Sequence, residues 1–111
     1  MLNLSKGEIY WVDLDPSQGS EMQKVRPCVI IKPLDYWKLA VIVPLSTTNF
    51  QTSAYTVVGI EARTGGLQYD SALCHHIRSI SYTRIRSQIG TLPEIDFHKI
   101  VTALEDFIFD E

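Results

Sequence analysis

The sequence has little cysteine and no long apolar run. Its two cysteines, Cys28 and Cys74, lie far apart in apolar stretches, which favours buried free thiols over a disulfide framework. No apolar run approaches the roughly 20 residues that a transmembrane helix requires, and no basic segment followed by an apolar one opens the chain. We therefore expect a cytoplasmic protein with no membrane partner.

Several motifs of well-known enzyme classes are also missing. The sequence contains no GxxxxGK[ST], GxGxxG, GxSxG, CxxC or HExxH pattern, so phosphate-loop, dinucleotide, serine-hydrolase and zinc chemistry are not indicated. His75 and His76 are adjacent, and neighbours in a strand point to opposite faces, so they cannot readily bind one metal ion together. We expect neither a metal nor a cofactor.

The net charge of −3 would disfavour a nucleic-acid binder, but the acidic residues are concentrated at the C-terminus. Residues 1–92 carry nine Lys/Arg and seven Asp/Glu, whereas residues 93–111 carry one Lys and six Asp/Glu. The mildly basic body permits phosphate binding. A chain of 111 residues without a linker predicts a single domain over residues 1–111.

Short apolar and β-branched segments between polar connections predict about six to seven strands and a mainly β (α+β) fold. The segments are residues 8–14, 26–32, 38–45, 55–60, 67–77 and 88–92. The connections are the long polar segment 15–24, the turns at 33–35 and 64–66, the hydroxyl-rich loop 46–53 and the basic segment 78–86. This arrangement predicts a barrel or sandwich.

A helix is predicted at the C-terminus. Pro93 stands at its opening turn, and apolar residues follow at helical spacing: Phe97, Ile100, Val101, Leu104, Phe107 and Ile108. We expect this apolar stripe to pack on the core rather than on a partner.

Three groups of residues suit RNA cleavage by the RNA's own 2′-hydroxyl, which needs a cation at the phosphate, a proton acceptor and a proton donor. Arg26 follows the long polar segment and begins a strand, so its guanidinium could hold a phosphate; an ion pair with Glu21 is the alternative. Ser46, Thr47 and Thr48 follow a strand, where they could bind phosphate or form a turn. His75 or His76 could transfer a proton, or could be structural.

Other residues could contact an RNA strand. Unpaired bases could stack on Trp11, Tyr36 or Trp37, although rings more often pack in a core or at an edge. Arg78, Arg84 and Arg86 lie in one short segment and could follow the RNA backbone, or could simply be solvated.

The order of these motifs resembles MazF/PemK-type toxins. The opening string GEIYWVDLDP at 7–16 is followed by GSE at 19–21 and RPCVII at 26–31, which together match the family pattern G-[DE]-[IV]-x-W-V-x-x-x-P…G-x-E…R-P-x-[VL]. The similarity continues through VPLST at 43–47, DSAL at 70–73, IRSI at 77–80 and the stretch from Arg84 to Gly90. It covers nearly the whole chain.

The resemblance implies a small SH3-like/CcdB-like β-barrel, a homodimer, and RNA cleavage that leaves a 2′,3′-cyclic phosphate and a 5′-hydroxyl. By position, Arg26 matches the catalytic arginine, Glu21 the acidic residue before it, and Ser46 the catalytic threonine. A one-residue slip would give that role to Thr47. His75 and His76 stand where relatives often carry Asp-Gln, which replaces a carboxylate candidate by imidazole. The remaining candidate RNA contacts are Trp11, Ser20, Gln23, Lys24, Thr48, Asn49, Arg78, Arg84 and Arg86.

The expected function is therefore a metal-independent toxin endoribonuclease that cuts single-stranded RNA and is inhibited by an antitoxin with an acidic, disordered segment. Two alternatives remain open at this point. A CcdB-like toxin would inhibit a protein such as gyrase without cleaving RNA, because the fold alone does not fix function. A catalytically silent RNA-binding module would retain RNA without cutting it.

Overall fold

The computed structural model describes residues 3–14, 25–46, 56–60 and 71–109. These residues form seven antiparallel strands and one C-terminal helix, which confirms the predicted mainly β class. The strands are β1 (Glu8–Asp13), β2 (Val25–Leu34), β3 (Leu39–Ser46), β4 (Val57–Gly59), β5 (Ser71–Leu73), β6 (Arg78–Ser81) and β7 (Ile85–Thr91), and the helix is α1 (Glu94–Phe109). Three short 3₁₀ turns lie at Asp35–Trp37, Cys74–His76 and Tyr82–Arg84.

The strands follow the order β4-β5-β3-β2-β1-β7, and β6 also pairs with β3. The sheet is open, since no pairing within the described residues joins β7 to β4 or to β6. β6 pairs with β3 over Leu39 to Ile42, and β5 pairs with it at Leu45 and Ser46. Pro44, which has no N–H to donate, lies where the neighbour of β3 changes. The 3₁₀ turn Cys74–His76 connects β5 to β6 beside this interval.

Alternation along the central strands divides the buried residues between two cores. Even-numbered residues of β2, Cys28 and Ile30, join one core with Ile42, whereas Val29 joins the other with Val43. The second core is covered by α1 through Ile100, Ala103 and Leu104. A central strand that is buried on both faces has a continuous apolar sequence, which explains the CVII and VIVPL runs. Cys28 and Cys74 are both free and buried, as predicted.

Gly7 is needed at the turn that leads into β1. Its φ is +88°, a conformation that side chains strongly disfavour, and its Cα faces the ring of Phe97. The Gly7 N–H donates to the carbonyl of Ile30 (2.8 Å), and the Gly7 carbonyl accepts from the N–H of Leu92 (2.9 Å). This one residue therefore ties β1 to β2 and to the segment that precedes α1.

The expectation that the whole apolar stripe of α1 packs on the core is wrong for its last turn. The helix begins as predicted after Pro93, whose carbonyl accepts from the Phe97 N–H, and acidic side chains occupy its first turn. Phe107 and Ile108, however, are 37% and 53% exposed, and the neighbouring Phe109 is 79% exposed. Helical spacing identifies the apolar stripe, but it does not indicate how far along the helix the core extends.

Several predicted strand limits also differ from the structure. β6 lies within the basic segment 78–86, which was expected to be a connection, and β7 begins at Ile85 rather than at residue 88. The predicted strand 67–77 ends in the 3₁₀ turn Cys74–His76. The predicted turn at 64–66 and most of the polar connections 15–24 and 46–53 lie outside the described residues. No helix within the described ranges is long and apolar enough to cross a membrane.

Candidate active site

Arg26 lies near the start of β2, where its side chain is exposed. The β2–β3 ladder begins with the pair of Cys28 and Pro44, and Arg26 and Ser46 each lie two residues beyond that pair. Side chains two residues apart in a strand share a face, so Arg26 and Ser46 both lie on the face that carries Cys28 and Pro44. Ser46 is buried at the end of β3, where it pairs with Ser71 of β5. The guanidinium and the alcohol thus belong to the same end and the same face of two adjacent strands.

A cavity of about 270 Å³ opens at this end of the sheet. The described residues that line it are Leu14, Arg26, Pro44, Leu73 and His76. They come from the ends of four strands and from the Cys74–His76 turn, so residues distant in sequence meet in one place. Leucine and proline side chains form its walls, whereas Arg26 and His76 supply a cation and a titratable imidazole.

His76 is held in a partly desolvated, positively charged environment. Burial, then the neighbouring His75, then the Arg26 guanidinium lower the pKa of His76 below its usual value of 6.5. Its imidazole is therefore neutral at neutral pH and can accept a proton. This electrostatic effect of Arg26 on His76 agrees with their shared position in the cavity wall.

His75 and His76 were expected to lie in a strand, and that prediction is wrong. His75 and His76 lie in the 3₁₀ turn Cys74–His76, and their ring centroids are 4.5 Å apart. The two rings are therefore neighbours rather than residues on opposite faces. Both histidine side chains are exposed, and of the two His76 lines the cavity. No cluster of three or more His, Cys, Asp or Glu side chains that could hold a metal occurs in the described part of the chain.

Arg78 adds positive charge close to the cavity. Arg26 and Arg78 both act on the Cys28 thiol, but burial outweighs them and raises the pKa of Cys28 to about 12. Burial also raises the pKa of Cys74 to about 11. Both thiols are therefore protonated at neutral pH and are poor nucleophiles.

Arg84 and Arg86 are engaged with the end of β1. The Arg84 guanidinium donates to the carbonyls of Asp13 and Leu14, at 3.5 Å each, and Arg86 forms an ion pair of 3.1 Å with the Asp13 carboxylate. They were predicted to follow an RNA backbone, which stays a prediction. Their contacts hold the strand end from which the polar segment 15–24 departs.

The remaining predicted site residues fall into three groups. Trp11 is half-buried in β1 opposite Pro27. Tyr36 and Trp37 lie in the 3₁₀ turn Asp35–Trp37, at the other end of β2 from Arg26. The third group lies outside the described residues: Ser20, Glu21, Gln23, Lys24, Thr47, Thr48 and Asn49.

The apolar walls of the cavity were not predicted from the sequence. Leu14, Pro44 and Leu73 were assigned only to strands, because nothing in their residue types indicates a ligand. The available signal was their position, since each one lies within two residues of the end of a predicted or observed strand that leads to the site.

The cavity combines an arginine with a neutral imidazole, and a buried alcohol lies at the adjacent strand end; such groups are suited to binding an anion and transferring a proton. The comparisons with known proteins assign this chain more closely. The sequence model of the PemK-like, MazF-like toxins of type II toxin–antitoxin systems matches residues 5–108. The chain belongs to this toxin family, which confirms the resemblance found in the sequence.

Curated relatives and solved structures agree with this assignment. The chain is 31% identical to the endoribonuclease MazF9 of Mycobacterium tuberculosis over 92% of this chain and 93% of the relative. It is 28% identical to the endoribonuclease EndoA of Bacillus subtilis over 92% of this chain and 91% of the relative. Its fold is similar to that of MazF from Deinococcus radiodurans, with a TM-score of 0.77 at 20% identity over 95% of this chain and 96% of that one.

Proposed function

We propose that this protein is a toxin endoribonuclease that cuts single-stranded messenger RNA within the cavity lined by Arg26 and His76. The observation that carries the proposal is the meeting of these two side chains at the strand ends of a toxin-family domain. The curated relatives named above are endoribonucleases, which supports the same reaction here. The site would act on the backbone of RNA, because RNA alone has the 2′-hydroxyl that this chemistry requires.

The proposed reaction is an internal transesterification. His76 accepts the proton of the 2′-hydroxyl, and the resulting oxygen attacks the adjacent phosphorus. The bond from phosphorus to the 5′-oxygen breaks, and that oxygen takes a proton from water. The products are a 2′,3′-cyclic phosphate and a free 5′-hydroxyl. Arg26 neutralises the charge that accumulates on the phosphate oxygens, where a guanidinium can donate two parallel hydrogen bonds.

The other predicted site residues support this reaction in our proposal. Ser46, or Thr47 next to it, positions the phosphate with its hydroxyl group. The polar segment 15–24 covers the RNA and contacts it through Ser20, Glu21, Gln23 and Lys24. Further contacts to the RNA come from Trp11, Thr48, Asn49 and Arg78. His75 acts by raising the positive charge around His76.

We propose two protein partners for this toxin. A cognate antitoxin would place acidic side chains in the positively charged cavity, where they would replace the RNA phosphates. One solved structure of similar fold is an endoribonuclease in complex with its cognate antitoxin, which supports this partner. A second copy of the chain would form a homodimer. Because the substrate would be messenger RNA, the proposed place of action is the cytoplasm.

The test is to incubate the purified protein with a long mixed-sequence RNA in the presence of EDTA and to map both ends of the products. We expect discrete fragments with cyclic phosphate and 5′-hydroxyl ends from the unaltered protein. Arg26→Ala and His76→Ala should each reduce cleavage by about a hundredfold or more, because each removes a group that acts on the reacting atoms.

His98→Ala is the matched control, because His98 lies on α1 and outside the cavity. It should cleave as the unaltered protein does. Cleavage that persists in Arg26→Ala would overturn the proposal. RNA binding without cleavage would indicate a silent RNA-binding module. Inhibition of a protein target with neither RNA binding nor RNA cleavage would indicate a CcdB-like inhibitor.

A further inference from the structure

Two aromatic rings project into solvent from the 3₁₀ turn Asp35–Trp37, which connects β2 to β3. Tyr36 is 85% exposed and Trp37 is 66% exposed, and their ring centroids lie 4.8 Å apart in an edge-to-face arrangement. Large rings are usually buried, so two adjacent exposed rings require an explanation. The reaction proposed above makes no use of them.

The turn that carries these rings is held by hydrogen bonds. Lys38 closes it with a φ of +56°, and its N–H donates to the Asp35 carbonyl at 3.1 Å. The third 3₁₀ turn supports it from the side: the Tyr82 N–H donates to the Lys38 carbonyl at 2.9 Å, and the Tyr82 hydroxyl donates to the Asp35 carboxylate. The rings are therefore presented on a fixed backbone, which lowers the entropy lost when a ligand stacks on them.

The small size of this patch favours a nucleobase over a protein. A stable protein–protein interface covers about 800 Å² on each partner, which is several times the area of two rings. The other exposed large apolar side chains of the described residues lie on α1, which packs against β4 and the Cys74–His76 turn. Lys38 follows the rings directly, and the Asp35 carboxylate is engaged by Tyr82. An aromatic surface beside a lysine is suited to an unpaired base and its phosphate.

The distance between the two rings and the cavity determines how many nucleotides of RNA would separate the two contacts. Arg26 and Tyr36 lie at opposite ends of the long strand β2, and at about 3.3 Å per strand residue they are separated by roughly 25 to 30 Å. A stacked single strand covers this distance with about eight nucleotides, at about 3.4 Å each.

We propose that Tyr36 and Trp37 form a second RNA-binding site, which stacks unpaired bases of the strand that flanks the cleavage site. The inference rests on the proposed endoribonuclease function and extends it: the enzyme holds its substrate at the cavity and again about eight nucleotides away. Binding at the two sites is bivalent, so a long RNA binds more tightly than a short RNA with the same cleavage sequence.

The test compares two RNAs with the same cleavage site, one with two flanking nucleotides on each side and one with twelve unpaired nucleotides on each side. The unaltered protein should show a kcat/KM about tenfold higher on the long RNA, and Trp37→Ala with Tyr36→Ala should lose this advantage while cleaving the short RNA normally. Trp37→Phe keeps a ring and should retain most of the advantage. Binding of both RNAs to Arg26→Ala, which removes the reactive cation, measures the same difference without turnover.

Equal kcat/KM on the two RNAs for the unaltered protein and the double variant would overturn the inference and leave the nuclease assignment standing. If no RNA is cut at all, the nuclease assignment fails, and the binding measurement decides the second site: a preference for the long RNA that disappears with the rings upholds it. Loss of self-association in the double variant with unchanged RNA binding would assign the rings to a protein contact and would also overturn it.

Discussion

His76 is the residue whose chemistry depends most on its surroundings. In the sequence it is one of two adjacent histidines with nothing to separate their roles. In the structure it lines the cavity beside Arg26, and His75 stands 4.5 Å away, ring centroid to ring centroid. Burial, then His75, then Arg26 lower its pKa. The neutral imidazole that a proton acceptor requires is therefore favoured by the same arginine that would bind the phosphate.

The pH dependence of cleavage follows from this arrangement. Protonation of His76 removes the proton acceptor, so kcat/KM should rise with pH through a midpoint below pH 6.5, because the pKa is lowered from that value. In His75→Asn one source of positive charge is lost, so the pKa of His76 should rise and the acid limb should move to higher pH. Full pH–rate profiles of both proteins measure this shift.

Two outcomes of that measurement would contradict the assignment. An acid limb that stays in place in His75→Asn would show that His75 does not act on the titrating group. An acid limb that persists in His76→Ala, in whatever activity remains, would assign the titration to another residue.

Among the elements, the central strands were the easiest to predict from the sequence and the short ones the hardest. The CVII run of β2 and the VIVPL run of β3 are apolar throughout because both faces are covered, so their patterns are strong. β6 is only four residues long and has exposed Arg78 and Ser79 at its start, so its sequence shows no alternation. Pairing with β3, which is a tertiary contact, determines that it is a strand.

The site was predictable to the same extent. Arg26 and Ser46 could be proposed from the sequence because they stand at the ends of strongly patterned strands, and their roles stay a prediction. The partners of Arg84 and Arg86 could not be identified, because they lie about 70 residues away in sequence and depend on the pairing of β1 with β7. The 3₁₀ turn at His75 and His76 was missed because three-residue turns leave no periodicity to detect.

The end of β1 provides an element-scale prediction. Arg84 donates to the carbonyls of Asp13 and Leu14, and Leu14 lines the cavity. Arg84→Met removes both hydrogen bonds, so we expect KM for RNA to rise by about tenfold with kcat changed much less, which corresponds to about 1.4 kcal/mol of binding. Steady-state kinetics on one RNA measure the two constants separately.

Arg86→Lys is the control for this prediction, because it keeps a positive charge near the exposed Asp13 carboxylate, where an ion pair contributes little. It should behave as the unaltered protein does. A fall in kcat alone for Arg84→Met would place Arg84 in the chemical step instead of in the positioning of the cavity wall.

The last turn of α1 leads to a second prediction at this scale. Ile108 and Phe109 are 53% and 79% exposed in a single copy, and burial of such side chains is the expected driving force for self-association. The double variant Ile108→Asp with Phe109→Asp should be monomeric at concentrations at which the unaltered protein is a dimer. Analytical ultracentrifugation measures this. A variant that stays dimeric would place the interface elsewhere on the molecule.

At the scale of the whole molecule, one sheet separates two cores. Ile42 is fully buried in the core on one face, and Ile100 of α1 is fully buried in the core on the other. Each truncation to alanine should lower the free energy of unfolding by about 2 to 5 kcal/mol. Because the sheet lies between the two side chains, the double variant should lose the sum of both effects to within about 0.5 kcal/mol.

Urea titrations of the four proteins test this, provided that unfolding stays a single cooperative transition. If the double variant loses clearly less free energy of unfolding than the sum of the two single variants, the two cores are energetically coupled. That the described sheet and helix belong to a single domain over residues 1–111 stays a prediction, which the same titrations address.

The 3₁₀ turn at residues 74–76 belongs to both halves of the molecule. Cys74 is enclosed beneath α1, and two positions later His76 reaches the cavity, with only one residue between them. We therefore expect a shift in how the helix rests on the sheet to displace His76, the proposed proton acceptor. A molecule that binds the outer surface of α1 could slow RNA cleavage without entering the cavity. A drug directed at that surface would not have to compete with the substrate.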